Sequence, residues 1–133
     1  MRLTLRSEYA LLALTYLGRR PTEGFISAAA IARAQRIPPR FLEQILLALK
    51  RARLVRSVKG RGGGFQLARE PGDITLAEVV RLLDGPLAPT EAVSRYFHGD
   101  TPIMRERRLT EFFREIRDLV AGRMEQTTLA EML

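Results

Sequence analysis

Cationic side chains are concentrated between Ser27 and Arg69 of this 133-residue sequence. The segment holds ten arginines and lysines but a single acidic residue, Glu43, which gives it a formal charge of +9. The whole chain carries +7, so the remaining residues carry a net −2. Guanidinium and ammonium groups bind phosphate, and charge concentrated in this way favours a polyanionic partner, with nucleic acid first and an anionic membrane surface second.

The other residue types that carry chemistry are scarce. Cysteine is absent and there is one histidine, His98, which excludes a disulfide framework, a thiolate metal site and a cysteine redox sensor. Ser94, His98 and Asp100 share one stretch of sequence, but their local spacing gives no reason to expect a catalytic triad. We therefore expect no enzyme activity, no bound metal and no cofactor.

The glycine-rich stretch from Gly60 to Gly64 does not match a nucleotide-binding loop. A P-loop requires Lys and then Ser or Thr after its last glycine, whereas Gly64 is followed by Phe65 and Gln66. Phe65 also occupies the final glycine position of the dinucleotide-binding pattern. The stretch is instead typical of a turn between two strands.

The elements that carry the cationic residues are predicted to be two short helices followed by a β-hairpin. After a first helix over residues 4–19, Ser27 is a suitable N-cap for a helix over 28–34, and Pro39 favours the start of a third helix that ends near residue 52. Two short helices joined by a tight turn form a helix-turn-helix. Residues 54–58 and 65–67 are predicted strands of a basic hairpin, or wing, whose glycines would let its tip approach another backbone closely.

Further helices are predicted in the second half of the chain. The TLAE sequence beginning at Thr75 is a capping-box pattern that opens a helix ending near residue 84, and the same pattern at Thr128 opens a short terminal helix. Between them, Thr101-Pro102 opens a long helix that reaches about residue 124. This helix is longer than so small a core requires, which indicates a homodimer. The residues expected at the dimer interface form one apolar stripe: Leu109, Phe112, Phe113, Ile116, Leu119 and Val120.

The predicted fold is mainly α with a small β-hairpin, a winged helix-turn-helix with a long C-terminal dimerisation helix. We divide it into a DNA-binding domain over residues 1–84, a connecting loop over 85–100, and the dimerisation and terminal helices over 101–133. No stretch approaches the roughly 18 apolar residues of a membrane span, and nothing marks export. We therefore expect a cytoplasmic protein that does not contact membranes.

The start of the third helix is expected to enter the major groove of double-stranded DNA. Arg40 is suited to guanine and Gln44 to adenine, while Phe41 would touch a thymine methyl group unless it is buried in the core. The wing residues Lys59 and Arg61 are predicted to contact phosphates or to enter the minor groove. The other residues predicted to contact phosphates are Arg33, Arg36, Lys50, Arg51 and Arg56, with Arg2 and Ser7 near the first helix.

These elements, in this order, resemble the IscR/NsrR/CymR family of bacterial winged-helix transcriptional regulators, the Rrf2 family. The resembling motifs are MRLT at Met1 with Tyr9-Ala10, FLEQI at Phe41 with Leu49, GGGF at Gly62 with Leu67, ITL at Ile74 with Glu78-Val79, GPLAP at Gly85, and Thr128-Leu129. The resemblance implies a homodimeric transcription factor, usually a repressor, that places two winged units on a near-palindromic operator. It also implies that the long helix is the dimerisation helix.

The chain departs from this family at its best-known sensing site. Many members ligate an iron–sulfur cluster through three cysteines after the GPLAP stretch, but Ala92 stands at the first of those positions and no cysteine follows. A lone imidazole, His98, cannot hold such a cluster without thiolates. The resemblance therefore implies a member without a cluster, and its signal stays open among a small-molecule effector, a protein effector and none.

Two alternatives to a DNA-binding regulator stay open from the sequence. The basic face alone does not distinguish duplex DNA from RNA, so an RNA-binding module, or a nucleic-acid-binding module that senses no signal, fits the same residues. An interaction protein that binds no nucleic acid is the other alternative. The operator sequence, and the choice between repression and activation, cannot be derived from these residues.

Overall fold

The computed structural model describes residues 1–96 and 99–133. Over these residues the chain forms helices α1 (Leu5–Gly18), α2 (Ala28–Gln35), α3 (Pro39–Arg51), α4 (Leu76–Asp84) and α5 (Arg107–Glu125), and strands β1 (Val55–Val58) and β2 (Gly64–Leu67). Short 3₁₀ helices lie at Pro71–Asp73, Glu91–Val93, Pro102–Arg105 and Leu129–Met132. This order confirms the prediction of a mainly α fold with one small hairpin.

The turn between α2 and α3 follows from three local preferences. Ser27 caps α2, and its hydroxyl oxygen accepts a hydrogen bond from the Ala30 N–H at 3.1 Å. Arg36 adopts a left-handed conformation with φ of 55°, and its N–H donates to the Ala32 carbonyl, which ends α2. Pro39 is the first residue of α3, where its missing N–H is not needed. Both helices begin at the predicted residues, and each ends within one residue of its predicted end.

One core joins α1, α2, α3 and the hairpin. Its largest fully buried side chains include Leu14, Ile31, Leu42, Ile45, Leu46, Leu49 and Leu54. Burying a side chain of this size contributes about 1.5–3 kcal/mol relative to leaving it in water. Because α3 supplies four of these residues, its orientation is fixed by the core and its opposite face is left to solvent.

The predicted capping box at the start of α4 is only half formed. The Thr75 hydroxyl oxygen accepts from the Glu78 N–H at 3.1 Å, as expected. The Glu78 carboxylate does not return to the Thr75 backbone, because it pairs with the guanidinium of Arg69 at 2.6 Å instead. The result is an ion pair that joins the end of the hairpin to α4. At Thr128 the box is complete, with the Thr128 N–H donating to the Glu131 carboxylate at 2.7 Å.

The prediction of one continuous helix from residue 102 to 124 is wrong at its start. A 3₁₀ helix over Pro102–Arg105 is followed by extended backbone at Glu106, and α5 begins at Arg107. The Thr110 hydroxyl donates to the carbonyls of Ile103 and Glu106 at 3.0 and 2.9 Å, which stabilises the break. Neither α5 nor any other helix among the described residues combines the length and apolar character needed to cross a bilayer.

The C-terminal segment packs back onto the winged unit. Leu129 is buried in the same core as α1 and α3. Its N–H donates to the Ile74 carbonyl at 2.8 Å, and the Leu76 N–H donates to the Thr127 carbonyl at 3.0 Å. The residues that follow α5 therefore help to hold the start of α4 in place.

Candidate nucleic-acid interface

The solvent-facing side of α3 presents polar and charged side chains and one leucine. Residues three, four and seven apart share a face at 3.6 residues per turn. The exposed residues of this face are Arg40, Glu43, Gln44, Leu47, Lys50 and Arg51. The predicted base-reading residues Arg40 and Gln44 therefore lie side by side on an exposed surface.

Phe41 belongs mainly to the core side of α3. It is half-buried, and its ring meets the Tyr9 ring edge-on with centroids 5.5 Å apart. Edge-to-face pairs of this kind are stabilising. Phe41 thus braces the first turn of α3 against α1, which favours the buried alternative of the two considered for it.

Two residues of the exposed face, Glu43 and Leu47, were missed as candidate contacts. Glu43 is the only acid in the cationic segment, and Leu47 is an exposed leucine at its centre. The sequence already indicated that both side chains face solvent. Once Leu42, Ile45, Leu46 and Leu49 are assigned to the core, the intervening positions must face outwards.

The cationic residues of this surface are not neutralised by the protein itself. Among the described residues, none of Arg33, Arg36, Arg40, Lys50, Arg51, Arg53, Arg56, Lys59 and Arg61 forms an ion pair with a carboxylate. Arg56 donates instead to the Gln66 side-chain oxygen at 2.9 Å, across the hairpin. Other arginines, such as Arg69 and Arg81, pair with glutamates. Nine cations without a carboxylate partner among the described residues therefore lie on or beside α2, α3 and the hairpin.

The hairpin carries Lys59 and Arg61 at its exposed tip. β1 and β2 pair antiparallel, with Val55 opposite Leu67 and Val58 opposite Gly64. Gly60 and Gly62 have φ values of 91° and 77°, which glycine adopts without strain, and they reverse the chain between the strands. Both cationic side chains therefore project from a short, tightly turned tip.

The wing is joined to the helix-turn-helix by main-chain hydrogen bonds. Ile26 and Phe65 exchange two of them, at 2.8 and 2.7 Å, just before α2 begins. The wing and the helix-turn-helix are thereby held as one rigid surface.

The two residues near the N-terminus that were predicted to contact DNA phosphates differ in their exposure to solvent. Arg2 is exposed, but Ser7 is fully buried, with its N–H directed at the Thr4 hydroxyl oxygen at 3.4 Å. Ser7 lies in the first turn of α1 and its side chain is buried, so it does not reach the surface. The expectation that Ser7 contacts a DNA phosphate is therefore withdrawn.

Asp84, the last residue of α4, holds the start of α1. Its carboxylate accepts hydrogen bonds from the Thr4 backbone N–H at 3.1 Å and the Thr4 hydroxyl at 2.5 Å. Desolvation raises the pKa of Asp84, but the Thr4 hydrogen bonds and the charge of Arg6 outweigh it and hold the pKa below its ordinary value of 3.8. The contact ties the first and fourth helices together.

A charge cluster connects α4 to α5. The Arg81 guanidinium donates to the Glu125 carboxylate at 2.5 Å, and Arg95 lies 3.5 Å from the same oxygen. The hydrogen bond from Arg81 lowers the pKa of Glu125. The ion pair therefore links the winged unit to the helix expected to dimerise.

The apolar stripe of α5 is largely uncovered. Leu109, Phe112 and Leu119 are 51, 53 and 70% exposed, while Phe113, Ile116 and Val120 are partly buried. These six residues lie within about a third of the helix circumference at 3.6 residues per turn. The side of α5 that packs on its own chain instead contains Thr110 and Ala121. The stripe therefore forms an apolar face directed away from the protein's own core.

Comparison with known proteins identifies the class of this fold. Residues 3–133 match the Rrf2 family, which is described as an iron-dependent transcriptional regulator. The chain belongs to the Rrf2 family. A Mycobacterium tuberculosis protein described as a candidate HTH-type transcriptional regulator is 38% identical over 133 residues, covering 99% of this chain and 81% of the relative.

Solved Rrf2-type structures share the architecture. The structure of CymR, the global cysteine regulator of Bacillus subtilis, superposes with a TM-score of 0.80 at 30% identity over 99% of this chain and 95% of that one. IscR from T. potens superposes with a TM-score of 0.76 at 27% identity, over 99% and 85% of the two chains. The winged-helix prediction and the predicted family are confirmed. The chain is thus a transcriptional regulator of the Rrf2 family.

The residues present do not fit the cysteine-ligated iron–sulfur cluster of many Rrf2 proteins. Such a cluster requires thiolate ligands, and the sequence contains no cysteine. Within residues 1–96 and 99–133, no group of three or more His, Asp or Glu side chains is placed to hold a metal ion. Ala92, the residue expected at the first ligand position, is buried. His98 lies outside the described residues, so the structure does not test a role for the group Ser94, His98 and Asp100.

Proposed function

We propose that this Rrf2-family regulator binds double-stranded DNA sequence-specifically as a homodimer and represses transcription from a near-palindromic operator. The observation that carries the proposal is the exposed face of α3, whose cations have no carboxylate partners among the described residues and lie beside the basic wing. Phosphates of a duplex would supply the missing counter-charge. Arg40 and Gln44, on the first turns of α3, have the donors and acceptors to read base edges.

The remaining cations divide by position. Arg33 and Arg36 at the end of α2, Lys50 and Arg51 at the end of α3, and Arg56 on β1 surround the reading face and are suited to phosphates. Lys59 and Arg61 at the wing tip would contact the backbone or enter the minor groove. Arg2 is an additional backbone contact, and Phe41 acts by holding α3 in position.

The homodimer is supported by the exposed stripe of α5. Large apolar side chains that lack a cover in the monomer favour association with a second copy, and two-fold symmetry would pair the stripe with itself. The symmetry of such a dimer would match an operator of two inverted half-sites.

We also propose that the protein works without a cysteine-ligated iron–sulfur cluster, because the sequence supplies no thiolate. A regulator that senses no signal stays open beside one with a small-molecule or protein effector, and such an effector would act through another contact, for which the Arg81–Glu125 pair between α4 and α5 is suited. As a regulator of transcription it would act in the cytoplasm.

Selection of binding sites from a random duplex library tests this function. The full-length protein should enrich an inverted repeat, and fluorescence anisotropy should give much weaker binding to a scrambled duplex. Structured RNA at equal nucleotide concentration should not compete, since its deep major groove does not admit α3. Transcription in vitro from a promoter overlapping the selected site should fall when protein is added. Equal competition by RNA would favour an RNA-binding module, and absence of any enriched duplex would overturn the proposal.

A further inference from the structure

An apolar groove runs between α3 and the wing, at the centre of the cationic surface. It has a volume of about 400 Å³, and its apolar lining consists of Ala28, Leu46, Leu47, Val58 and Phe65. Leu47 on α3 and Val58 on β1 are 47 and 50% exposed. Three charged residues also line it: Lys50, Lys59 and Glu43. The groove thus combines an apolar floor with an edge of two cations and one carboxylate.

Leu47 occupies the middle of the exposed face of α3. It follows Arg40 by seven residues and Gln44 by three, and it precedes Arg51 by four, so these side chains point in nearly the same direction from the helix. This leucine is not one of the buried core residues of α3, which are Leu42, Ile45, Leu46 and Leu49. Its apolar surface is available only to whatever binds this face.

The charges around Leu47 select duplex DNA as the occupant. Arg40, Lys50, Arg51 and Lys59 lie around it without carboxylate partners among the described residues, against one carboxylate, Glu43, so the net positive charge favours a ligand that is anionic at its edges. The ligand must also offer an apolar group where Leu47 projects. The major groove of B-DNA meets both conditions, because the C5 methyl of thymine is the apolar group displayed between its phosphate backbones.

We infer that Leu47 is a specificity-determining residue that packs against the C5 methyl group of a thymine in each half-site. Val58 completes the same apolar contact from the wing side of the groove. The inference rests on the proposed DNA-binding function and adds to it a base contact that carries no hydrogen bond.

The experiment removes the methyl group and the side chain separately. In the selected duplex, each thymine is replaced singly by deoxyuridine, which keeps the base-pairing and hydrogen-bonding groups and lacks only the methyl. Affinities of the wild type and of Leu47→Ala are measured on each duplex by fluorescence anisotropy. Leu82→Ala serves as the matched control, because Leu82 is also an exposed helical leucine but lies on α4. Thermal unfolding verifies that both variants are folded.

One symmetric pair of thymines should respond. Deoxyuridine there should weaken wild-type binding about fourfold per half-site, the value of one buried methyl group. Leu47→Ala should bind the thymine duplex more weakly and show no further loss on deoxyuridine, whereas Leu82→Ala should respond like the wild type. The inference would be overturned if deoxyuridine lowered the affinities of the wild type and of Leu47→Ala equally, or if no thymine replacement lowered the affinity of the wild type. In either case specific DNA binding would still hold. If the wild type bound no duplex at all, the proposed function itself would be refuted.

Discussion

Gly64 at the start of β2 lies directly against the backbone of Ile26, the residue that precedes the N-cap of α2. A Cβ atom placed on Gly64 would come within 2.2 Å of the Ile26 carbonyl oxygen. Gly64 also has a φ of 148°, a conformation that side-chain-bearing residues rarely adopt. The contact lets Ile26 and Phe65 exchange their two hydrogen bonds and fixes the wing beside the helix-turn-helix.

Replacing this glycine should weaken the whole DNA-binding unit. Gly64→Ala is expected to lower the free energy of unfolding by about 2 kcal/mol or more, because it adds backbone strain to the clash with Ile26. Chemical denaturation measures the change. Gly72→Ala is the matched control, since no atom lies within 4 Å of its Cβ position, and it should stay within about 0.5 kcal/mol of the wild type. Equal stabilities of the two variants would show that the Gly64 contact is not tight in solution.

A second prediction concerns acid stability. The pKa of Asp84 is lowered in the folded protein by the Thr4 hydrogen bonds, so this carboxylate stabilises the fold fully above its ordinary pKa of 3.8 and loses that contribution as the pH falls below it. Asp84→Asn should therefore cost about 1 kcal/mol at pH 7, with the difference from wild type shrinking below about pH 4.

Urea unfolding at a series of pH values measures this difference. Asp100→Asn, at an exposed carboxylate, is the control and should track the wild type throughout. A cost of Asp84→Asn that is unchanged between pH 7 and pH 3 would contradict the assigned charge-dependent contact.

Base reading by Arg40 predicts a loss that depends on DNA sequence. Arg40→Ala should lose about 1 to 3 kcal/mol of binding free energy on the selected operator and much less on a scrambled duplex. Arg19→Ala removes an equal charge from the exposed end of α1 and should affect both duplexes little. If Arg40→Ala weakens operator and scrambled duplex by the same factor, Arg40 contacts phosphate rather than a base.

Phosphate contact by the wing predicts a change in salt dependence. Each phosphate neutralised contributes about 0.9 to the slope of log affinity against log salt concentration. Arg61→Ala should therefore weaken operator and scrambled duplexes alike and make the slope shallower by about 0.9 per protomer. Titrations at several salt concentrations, again with Arg19→Ala as control, provide the measurement. An unchanged slope would remove Arg61 from the set of phosphate contacts.

Local patterns predicted the elements better than the contacts between them. The cap at Ser27, the proline at the first position of α3 and the glycines of the wing tip act within a few residues. The helix-turn-helix and the hairpin were therefore predicted to within about one residue, which is the ordinary difference between assignments of helix ends. Burial of Ser7 under Asp84, and capture of the Glu78 carboxylate by Arg69, depend on residues distant in sequence. The break at Glu106 was missed because the apolar stripe of α5 predicts one continuous helix, and no local sequence pattern marks the extended backbone at this residue.

The α5 stripe predicts that dimerisation can be abolished by one charge. Leu119 is 70% exposed, so Leu119→Glu should leave the monomer fold intact and place a carboxylate in the apolar contact between two copies. Sedimentation velocity should show a monomer with unchanged helical circular dichroism. Operator affinity should fall by about 100-fold or more, because the second half-site is no longer bound intramolecularly. Arg114→Glu introduces the same side chain at an exposed position outside the stripe, and this control should remain a dimer. A Leu119→Glu protein that still sediments as a dimer would place the subunit interface elsewhere, whereas a wild type that is monomeric would assign the stripe to another partner.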